Sequence, residues 1–572
     1  MASPPRPILD KTSHSSRDRT NTKRERPCAS PYITKIQTNA NTQADLTVVS
    51  EREYADRVKS YARLWTGQHY HDLANYLFAP YQRFFSDATS KEPKVGASPI
   101  GERFVTMYTV DGHRPPQARQ ISSPLEFSQA AIDAEDLSAL IFLRGHQPPE
   151  MLNAIGGRYR VDPEFFRQHL EVNSRTGWLG NFLPTSLPST WKNIVRLPSV
   201  SLASRSSSGY SRSSQPHHEE KLSKIRNETA RLLDGHIEKY LQSRESHLSP
   251  GSSIVRNLSI HNNQYFSLEQ HISIYMAAHG KSWIGIVWLD TGSDLGQDKS
   301  GPWQAQALQC ESWEVQFLPT IQHQPGAALN SRHLFRANTL NEVTDEKGPG
   351  RLIQTSARLH ENYGEHLDYE TMAASPFYAL TDVFAFVAAS EGQFLDLIQL
   401  FLDTEIDIDL LSRYSLQTRA ALWNLAYNKQ ILDRHHRRLR DISSFLKNYS
   451  QIVNWACPTA PATQKISSDA AARLHMDYTH LVERCHTLND AFDGAMDVLQ
   501  NNSIISESQK AIQQAEGVAQ LTRLAFFFIP LSLTASIFGM NMRQFTDGAP
   551  LSIWVWVVTS AVTLLFSYLV LK

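Results

Sequence analysis

Cysteine is scarce and scattered: Cys28, Cys310, Cys457 and Cys485 are the only four, and no CxxC pair occurs among them. That usage fits a reducing compartment and excludes a disulfide framework or a cysteine zinc site. Net charge is nearly absent as well, −1 over 572 residues of which 20% are charged, and no excess of one sign marks a nucleic-acid binder or an acidic tail protein. The first thirty residues contain no apolar run, so no secretory signal is read and the large N-terminal part is expected to stay in the cytosol. Arg and Ser in that stretch raise a mitochondrial transit peptide, but Pro4, Pro5, Pro7 and the acids Asp10, Asp18 and Glu25 work against an amphipathic targeting helix. Catalytic signatures are missing too: there is no Gly-rich phosphate loop, nucleophile elbow or kinase set. His360-Glu361 begins a zinc-protease pattern that needs a second histidine where Gly364 stands. The expectation is a chain that is not an enzyme and carries no cofactor.

What is present falls into four parts. Residues 1–50 read as a disordered tail, and Ser199 to Ser223 as a Ser-rich, solvated insertion. Residues 51–375 otherwise alternate strand-like and helical patterns. Strands are expected at Phe104 to Val110, Leu140 to Leu143, Ile272 to Met276, Trp283 to Leu289 and Trp313 to Leu318, each short, apolar or alternating, and bounded by turn residues. Asp162-Pro163-Glu164 opens a helix, with a capping acid, proline at the first helical position and an acid in the first turn. An α/β domain with a mixed sheet follows.

From residue 376 to 520 the periodicity is helical. Phe377 to Ala389 is strongly apolar, but Asp382, Glu391 and Asp396 interrupt any longer window, which reads as a core helix and not a membrane pass. Ala420 to Phe445 is a long helix whose basic cluster, Arg434 to Arg440, reads as a solvated face pairing with acids on a neighbour in preference to a surface for nucleic acid or anionic lipid. Leu474, Tyr478, Leu481, Cys485, Leu488, Phe492, Ala495 and Leu499 then recur with 4,3 spacing, a coiled-coil seam. No proline interrupts Pro461 to Pro530, so the helix is expected to continue while its stripe changes character. Ser508, Ala511, Ala515, Val518, Thr522, Ala525, Ile529, Ser532 and Ser536 form a face that is mostly small or hydroxyl-bearing. Val498, Ile505, Ile512, Ala519 and Phe526 form a second stripe that repeats every seven residues and needs a neighbouring helix.

Residues 521–572 hold two apolar spans, Leu524 to Phe538 and Ile553 to Leu571, separated by a short polar loop. A span of ~20 residues at 1.5 Å each crosses a hydrocarbon core of ~30 Å, so the pair is expected to form a transmembrane hairpin. Lys510, Arg523 and Lys572 at its outer limits, against Arg543 in the loop, favour both termini on the cytosolic side. Two helices cannot enclose a watery path, so conduction here requires several copies around an axis. Small residues are also common at packed membrane-helix interfaces, and the stripe alone serves either purpose.

The loop opens with Gly539-Met540-Asn541, and the context "ESQKAIQQAEGVAQLTRLAFFFIPLSLTASIFGMN" resembles the stalk and first membrane helix of fungal members of the CorA-type magnesium channel family. The resemblance implies a CorA-like fold: an α/β cytosolic domain, a long helical stalk and a C-terminal two-helix transmembrane hairpin, assembled as a homopentamer. It implies Gly539, Met540 and Asn541 as the selectivity motif, with Asn541 contacting a transported Mg²⁺ through its hydration shell, and Ser508, Ala515, Thr522, Ala525, Ile529, Ser532 and Ser536 as pore-lining candidates. Its partners would be other copies of itself, the membrane and divalent cations, with no nucleic acid. The plasma membrane is the expected location and the mitochondrial inner membrane the alternative. Magnesium holds water tightly in an octahedral shell, and amide oxygens can accept hydrogen bonds from that shell without trapping the ion. One departure stands out: bacterial members follow the triplet with a Pro-Glu element, whereas this chain has Arg543, and Asp547 is the only acid of its loop. The alternative reading is a transport-inactive relative whose hairpin anchors a scaffold or signalling domain.

Overall fold

The structure, a computed structural model, describes residues 49–82, 103–133, 137–170, 193–207, 217–241, 249–303 except 263, 281 and 297–300, then 313–322, 353–406, 415–452, 455, 461–539 and 553–571. The expected N-terminal tail lies outside these residues except for Val49 and Ser50. Ser50 caps the first helix, its Oγ accepting from the Glu53 N–H at 3.2 Å.

Eight strands form one mixed sheet: β1 (Val105–Val110), β2 (Gln117–Ile121), β3 (Ser138–Arg144), β4 (Ile194–Ser207), β5 (Asn257–Ile260), β6 (Tyr265–His279), β7 (Ser282–Leu289) and β8 (Trp313–Phe317). Their order is β2-β1-β3-β7-β6-β4-β8, with β5 paired to β6 off this path. The β3–β7 pair is parallel, in register from Ala139 against Ile284 to Arg144 against Leu289, and the other pairs are antiparallel. All five expected strands form. Strands β2, β4 and β5 were not expected.

Both faces of the sheet are covered, which is why its central strands are apolar almost throughout and do not alternate with polar residues. Val105 and Met107, Ile141 and Leu143, and Ile286 and Trp288 point to one face, where α1 (Glu51–Ala62), α2 (His71–Gln82), α3 (Pro124–Asp133), α4 (Pro149–Tyr159) and α5 (Pro163–Leu170) pack. Tyr108, Leu140, Phe142, Val287, Ile272 and Ile274 point to the other. There they meet the long helices of the second half of the chain. A smaller cluster joins Ile225 and Leu233 of α6 (His217–Leu241) to Leu258, Phe266 and Trp303.

The Ser-rich insertion needs correction. Ser199 to Ser207 is the second half of β4, paired with β6 as far as Ser204 and with β8 from Ala203 onward, and His217 to Ser223 begins α6, so a loop over 199–223 is not what forms. Only 208–216 lies outside the described residues. The serines mislead because hydroxyls normally mark solvent, yet Ser199 and Ser201 are buried and Ser201 Oγ accepts from Gln354 Nε2 at 2.8 Å. A buried hydroxyl is tolerated where it finds such a partner.

On the second face, α7 (Tyr369–Ala374) leads into α8 (Thr381–Ile406), then α9 (Ser415–Asn448) and α10 (Pro461–Gly539), and α11 (Ile553–Leu571) ends the described chain. Among the described residues, three stretches are long and apolar enough to cross a membrane by length and composition: Tyr378–Ile406, part of Pro461–Gly539, and Ile553–Val570. Burial separates them. The apolar window of the first is 56% buried within the protein, those of the other two 6% and 11%. Helix α8 is thus the expected core helix, with Phe384, Val387, Phe394 and Ile398 sealed between the sheet and α9 and α10.

The seam expected from Leu474 to Leu499 is buried at every one of its eight positions. Its partners are α8 and α9 of the same chain, so one core runs from the sheet to Leu499. Phe492 is among the largest fully buried side chains and lies near the end of this core. Phe492→Ala is therefore expected to lower unfolding free energy by about 3–5 kcal/mol in chemical denaturation, whereas exposed Met476→Ala on the same helix should change it by less than about 0.5 kcal/mol.

Candidate pore-forming hairpin

Beyond Leu499 the helix leaves the core. At 1.5 Å per residue α10 is ~120 Å long, and from Gln500 to Leu533 the single chain buries none of it fully. The next buried position is Thr534, where α11 folds back against it. Thr534 Oγ1 lies 3.2 Å from Ser560 Oγ and donates to Leu531 O at 2.8 Å, so the hydroxyls that meet at this contact have partners inside the hairpin. Ser560 and Ser567 are buried, and Phe527, Pro530, Leu531, Trp556, Thr559, Thr563 and Leu564 are half-buried, which defines the facing sides of the two helices.

The small-residue stripe lies on the other side. Taking ~100° per residue, Ala525, Ile529, Ser532 and Ser536 fall on the face of α10 roughly opposite Phe527, Pro530, Leu531 and Thr534. Ser508, Ala515, Thr522, Ile529, Ser532 and Ser536 are exposed in the single chain and Ala525 is half-buried. Thr522 Oγ1 donates to Val518 O at 2.8 Å and Ser532 Oγ to Ile529 O at 3.0 Å. Each hydroxyl proton is thereby satisfied within the helix, and an oxygen lone pair remains on the outer surface. The hairpin's own second helix leaves this face uncovered. The heptad stripe is also bare: Val498, Ile505, Ile512 and Phe526 are 55%, 55%, 59% and 45% exposed.

Gly539 is the last residue of α10, and a side chain built there would meet no described residue within 4 Å. Met540, Asn541, Arg543 and Asp547 lie outside the described residues. Of the stalk acids, Asp493 pairs with Lys429 and Asp490 with His486, at 2.9 Å in the latter case.

Two buried polar clusters in the α/β domain escape sequence reading because their members are far apart in the chain. In the first, Ser273 Oγ, His169 and Asp290 form a chain, 2.8 Å from Ser273 to Nδ1 and 3.2 Å from Nε2 to Asp290. That order of groups suggests hydrolysis, but Ser273 is 1% exposed and the other two 0%, so no substrate reaches the hydroxyl. Arg256 clamps Asp290 through both Nε and Nη2. Burial, reinforced by Arg256, holds His169 neutral, and its ring stacks on Trp288 at 4.0 Å.

The second cluster ties the sheet to the helices. His435 of α9 places Nδ1 2.9 Å from Glu391 of α8 and Nε2 3.8 Å from Glu269 of β6, and Arg434 and Arg438 reach Glu269 at 3.0 and 2.7 Å. The expected pairing with acids on neighbouring elements forms, but the face is not the solvated one expected, since His435, Glu269 and Glu391 are buried. Burial alone would lower the pKa of His435, but Glu391 and Glu269 outweigh it and raise it to about 9. Burial likewise acts to raise the Glu269 carboxyl, yet His435, Arg438 and Arg434 hold it well below the usual range.

Residues 409–572, which take in α9, the whole of α10 and the hairpin, match the family model described as CorA-like Mg2+ transporter protein. No curated protein matches. Among solved structures the chain is similar to the CorA magnesium transporter from Methanocaldococcus jannaschii, at 11% identity over 82% of this chain and 98% of that one, with a TM-score of 0.36. It is also similar to the full-length CmaX protein, at 13% identity over 82% and 98%, with a TM-score of 0.34.

The His435 cluster makes stability depend on pH in a defined direction. A histidine whose pKa rises from 6.5 unfolded to about 9 folded stabilises fully below pH 6.5, and that contribution fades as pH climbs to 9. Denaturant melts at pH 6.5, 7.5 and 9 should show a fall of a few kcal/mol, and His435→Gln should be less stable at pH 6.5 yet flatter over the same range. Equal wild-type stability at the three pH values would refute the assignment of charge to His435.

Proposed function

We propose that this chain is a CorA-like divalent-cation channel, Mg²⁺ preferred, in which several copies of the C-terminal hairpin surround a path for hydrated ions. The observation that carries the reading is the bare small-residue face of α10, opposite the face covered by α11, in a segment that matches the CorA-like family. With α11 outside and this face toward an axis, Ser532 and Ser536 would present oxygen to water within the membrane. The heptad stripe would bury against neighbouring copies below it. Five copies is the number the family resemblance implies.

At the mouth, a ring of Asn541 amides would accept hydrogen bonds from the ion's water shell, strongly enough to choose a hydrated divalent ion and weakly enough to release it. Flow would follow the membrane potential into the cytosol, where the α/β domain and both termini lie. The His435 cluster and the seam beside it would transmit a change in that domain to the stalk, because α8, α9 and the packed half of α10 share one core with the sheet.

The second reading, a transport-inactive anchor, is favoured by Arg543, a cation two residues from the ring with Asp547 the only acid in the loop. Liposomes reconstituted with the purified chain and loaded with a Mg²⁺-sensitive dye separate the two. The channel predicts Mg²⁺ entry that rises with an inside-negative potential and falls at least tenfold in Asn541→Ala. Folded protein that admits no Mg²⁺ at any potential would support the anchor.

A further inference from the structure

Helices α9 and α10 run antiparallel in a fixed register: Lys429 meets Asp493, His436 stands beside His486, and Ser443 lies 3.5 Å from Thr479. Beneath these contacts Leu432, Leu439, Cys485 and Leu488 are buried, so the backbone under the surface side chains is held by the core. On this rigid frame the centroids of the His436 and His486 rings are 6.4 Å apart, one on each helix. Each ring has a carboxylate on its own helix surface: Asp433 three residues before His436, and Asp490 four residues after His486. Spacings of three and four bring side chains onto one helical face, and facing helices that each supply a histidine and a carboxylate are a known way to build a metal site.

The protonation pattern suits ligation. Asp490 Oδ2 lies 2.9 Å from His486 Nδ1, so in the neutral ring the Nδ1 proton points at the carboxylate and Nε2 is the nitrogen with the lone pair. His436 Nε2 lies 3.4 Å from the Arg440 guanidinium, which can only donate, so this nitrogen also carries a lone pair. Partial burial, Arg440 and His486 lower the pKa of His436, with Asp433 opposing them, which keeps the ring neutral at neutral pH. Asp433 and Arg440 act on His436, and Asp490 pairs with His486.

We propose that His436 and His486, with Asp490 and Asp433 in support, form a binding site for a transition-metal dication such as Ni²⁺ or Zn²⁺ at the α9–α10 seam. Among the described residues no group of three or more His, Cys, Asp or Glu side chains stands assembled for a metal ion, so this site closes on the ion by side-chain rotation. His486 and Asp490 are paired with each other but each 69% exposed, and a bound ion would displace Arg440 from His436. Two imidazoles select against Mg²⁺, which takes oxygen ligands and keeps its water. The site pins the stalk helix to α9 just before α10 leaves the core. It is independent of whether the hairpin conducts.

The test titrates Ni²⁺ into the full chain in detergent against a chromophoric chelator, for wild type, His436→Asn/His486→Asn and Asp490→Asn. With 22 histidines in the chain, the difference between wild type and double variant isolates this site. One Ni²⁺ per chain should be lost or weakened at least tenfold in the double variant and about tenfold in Asp490→Asn, and millimolar Mg²⁺ should not displace it. If the double variant melts at a lower temperature, His486→Asn alone, at an exposed position, carries the same expectation. Equal Ni²⁺ binding by wild type and a folded variant, or displacement by millimolar Mg²⁺, overturns the proposal.

Discussion

The packing of α10 against α8 and α9 is the constraint from which the rest of the architecture follows. Leu474, Tyr478, Leu481, Cys485, Leu488, Phe492, Ala495 and Leu499 are all buried in the core that also contains the strand residues of one sheet face. A helix is stiff along its axis, so holding these positions sets the direction of the rest of α10 up to Gly539, which has few contacts of its own before α11. The chain thus converts the position of a sheet into the position of an apolar segment long enough to cross a membrane, through a single uninterrupted element. Pro530 removes one ladder hydrogen bond near its end without ending it.

Buried charge reinforces the same connection. Glu269 on β6, Glu391 on α8 and His435 on α9 are at most 2% exposed, and each comes from a different element. A buried ion cluster of this kind adds little net stability over an apolar core of equal volume, but removing one member leaves the others uncompensated. Its effect is to make the relative placement of sheet and helices specific. Asp290, clamped by Arg256 and contacted by His169, does the same at the end of β7.

How much of this the sequence discloses depends on the length scale of the signal. The seam of α10, the core character of α8 and five of the strands follow from helical, heptad and alternating periodicities, which are local. Strand β4 does not, because Pro198 and a run of serines look like punctuation until Gln354, 153 residues away, supplies a partner for Ser201. Strand β2 is exposed at four of its five positions and offers no apolar pattern to read. The two buried polar clusters are invisible for the same reason as β4: Arg438 and Glu269, for one, are separated by 169 residues and meet only through the fold. In the hairpin, the two spans and the small-residue face are legible, and the fold adds that α11 covers the opposite side. The motif Gly539-Met540-Asn541 is legible as a word only. Gly539 has no close neighbour among the described residues.

Val498, Ile505, Ile512 and Phe526 are bare in the single chain, and the proposed assembly is what would cover them. The mass of the purified chain in mild detergent, from light scattering corrected for bound detergent, measures this most directly. A ring predicts one species of at least three copies of the 64.7 kDa chain, with five expected, that dissociates when Ile505 and Ile512 are both changed to Asp. A folded species that remains a monomer or dimer at every concentration would contradict it.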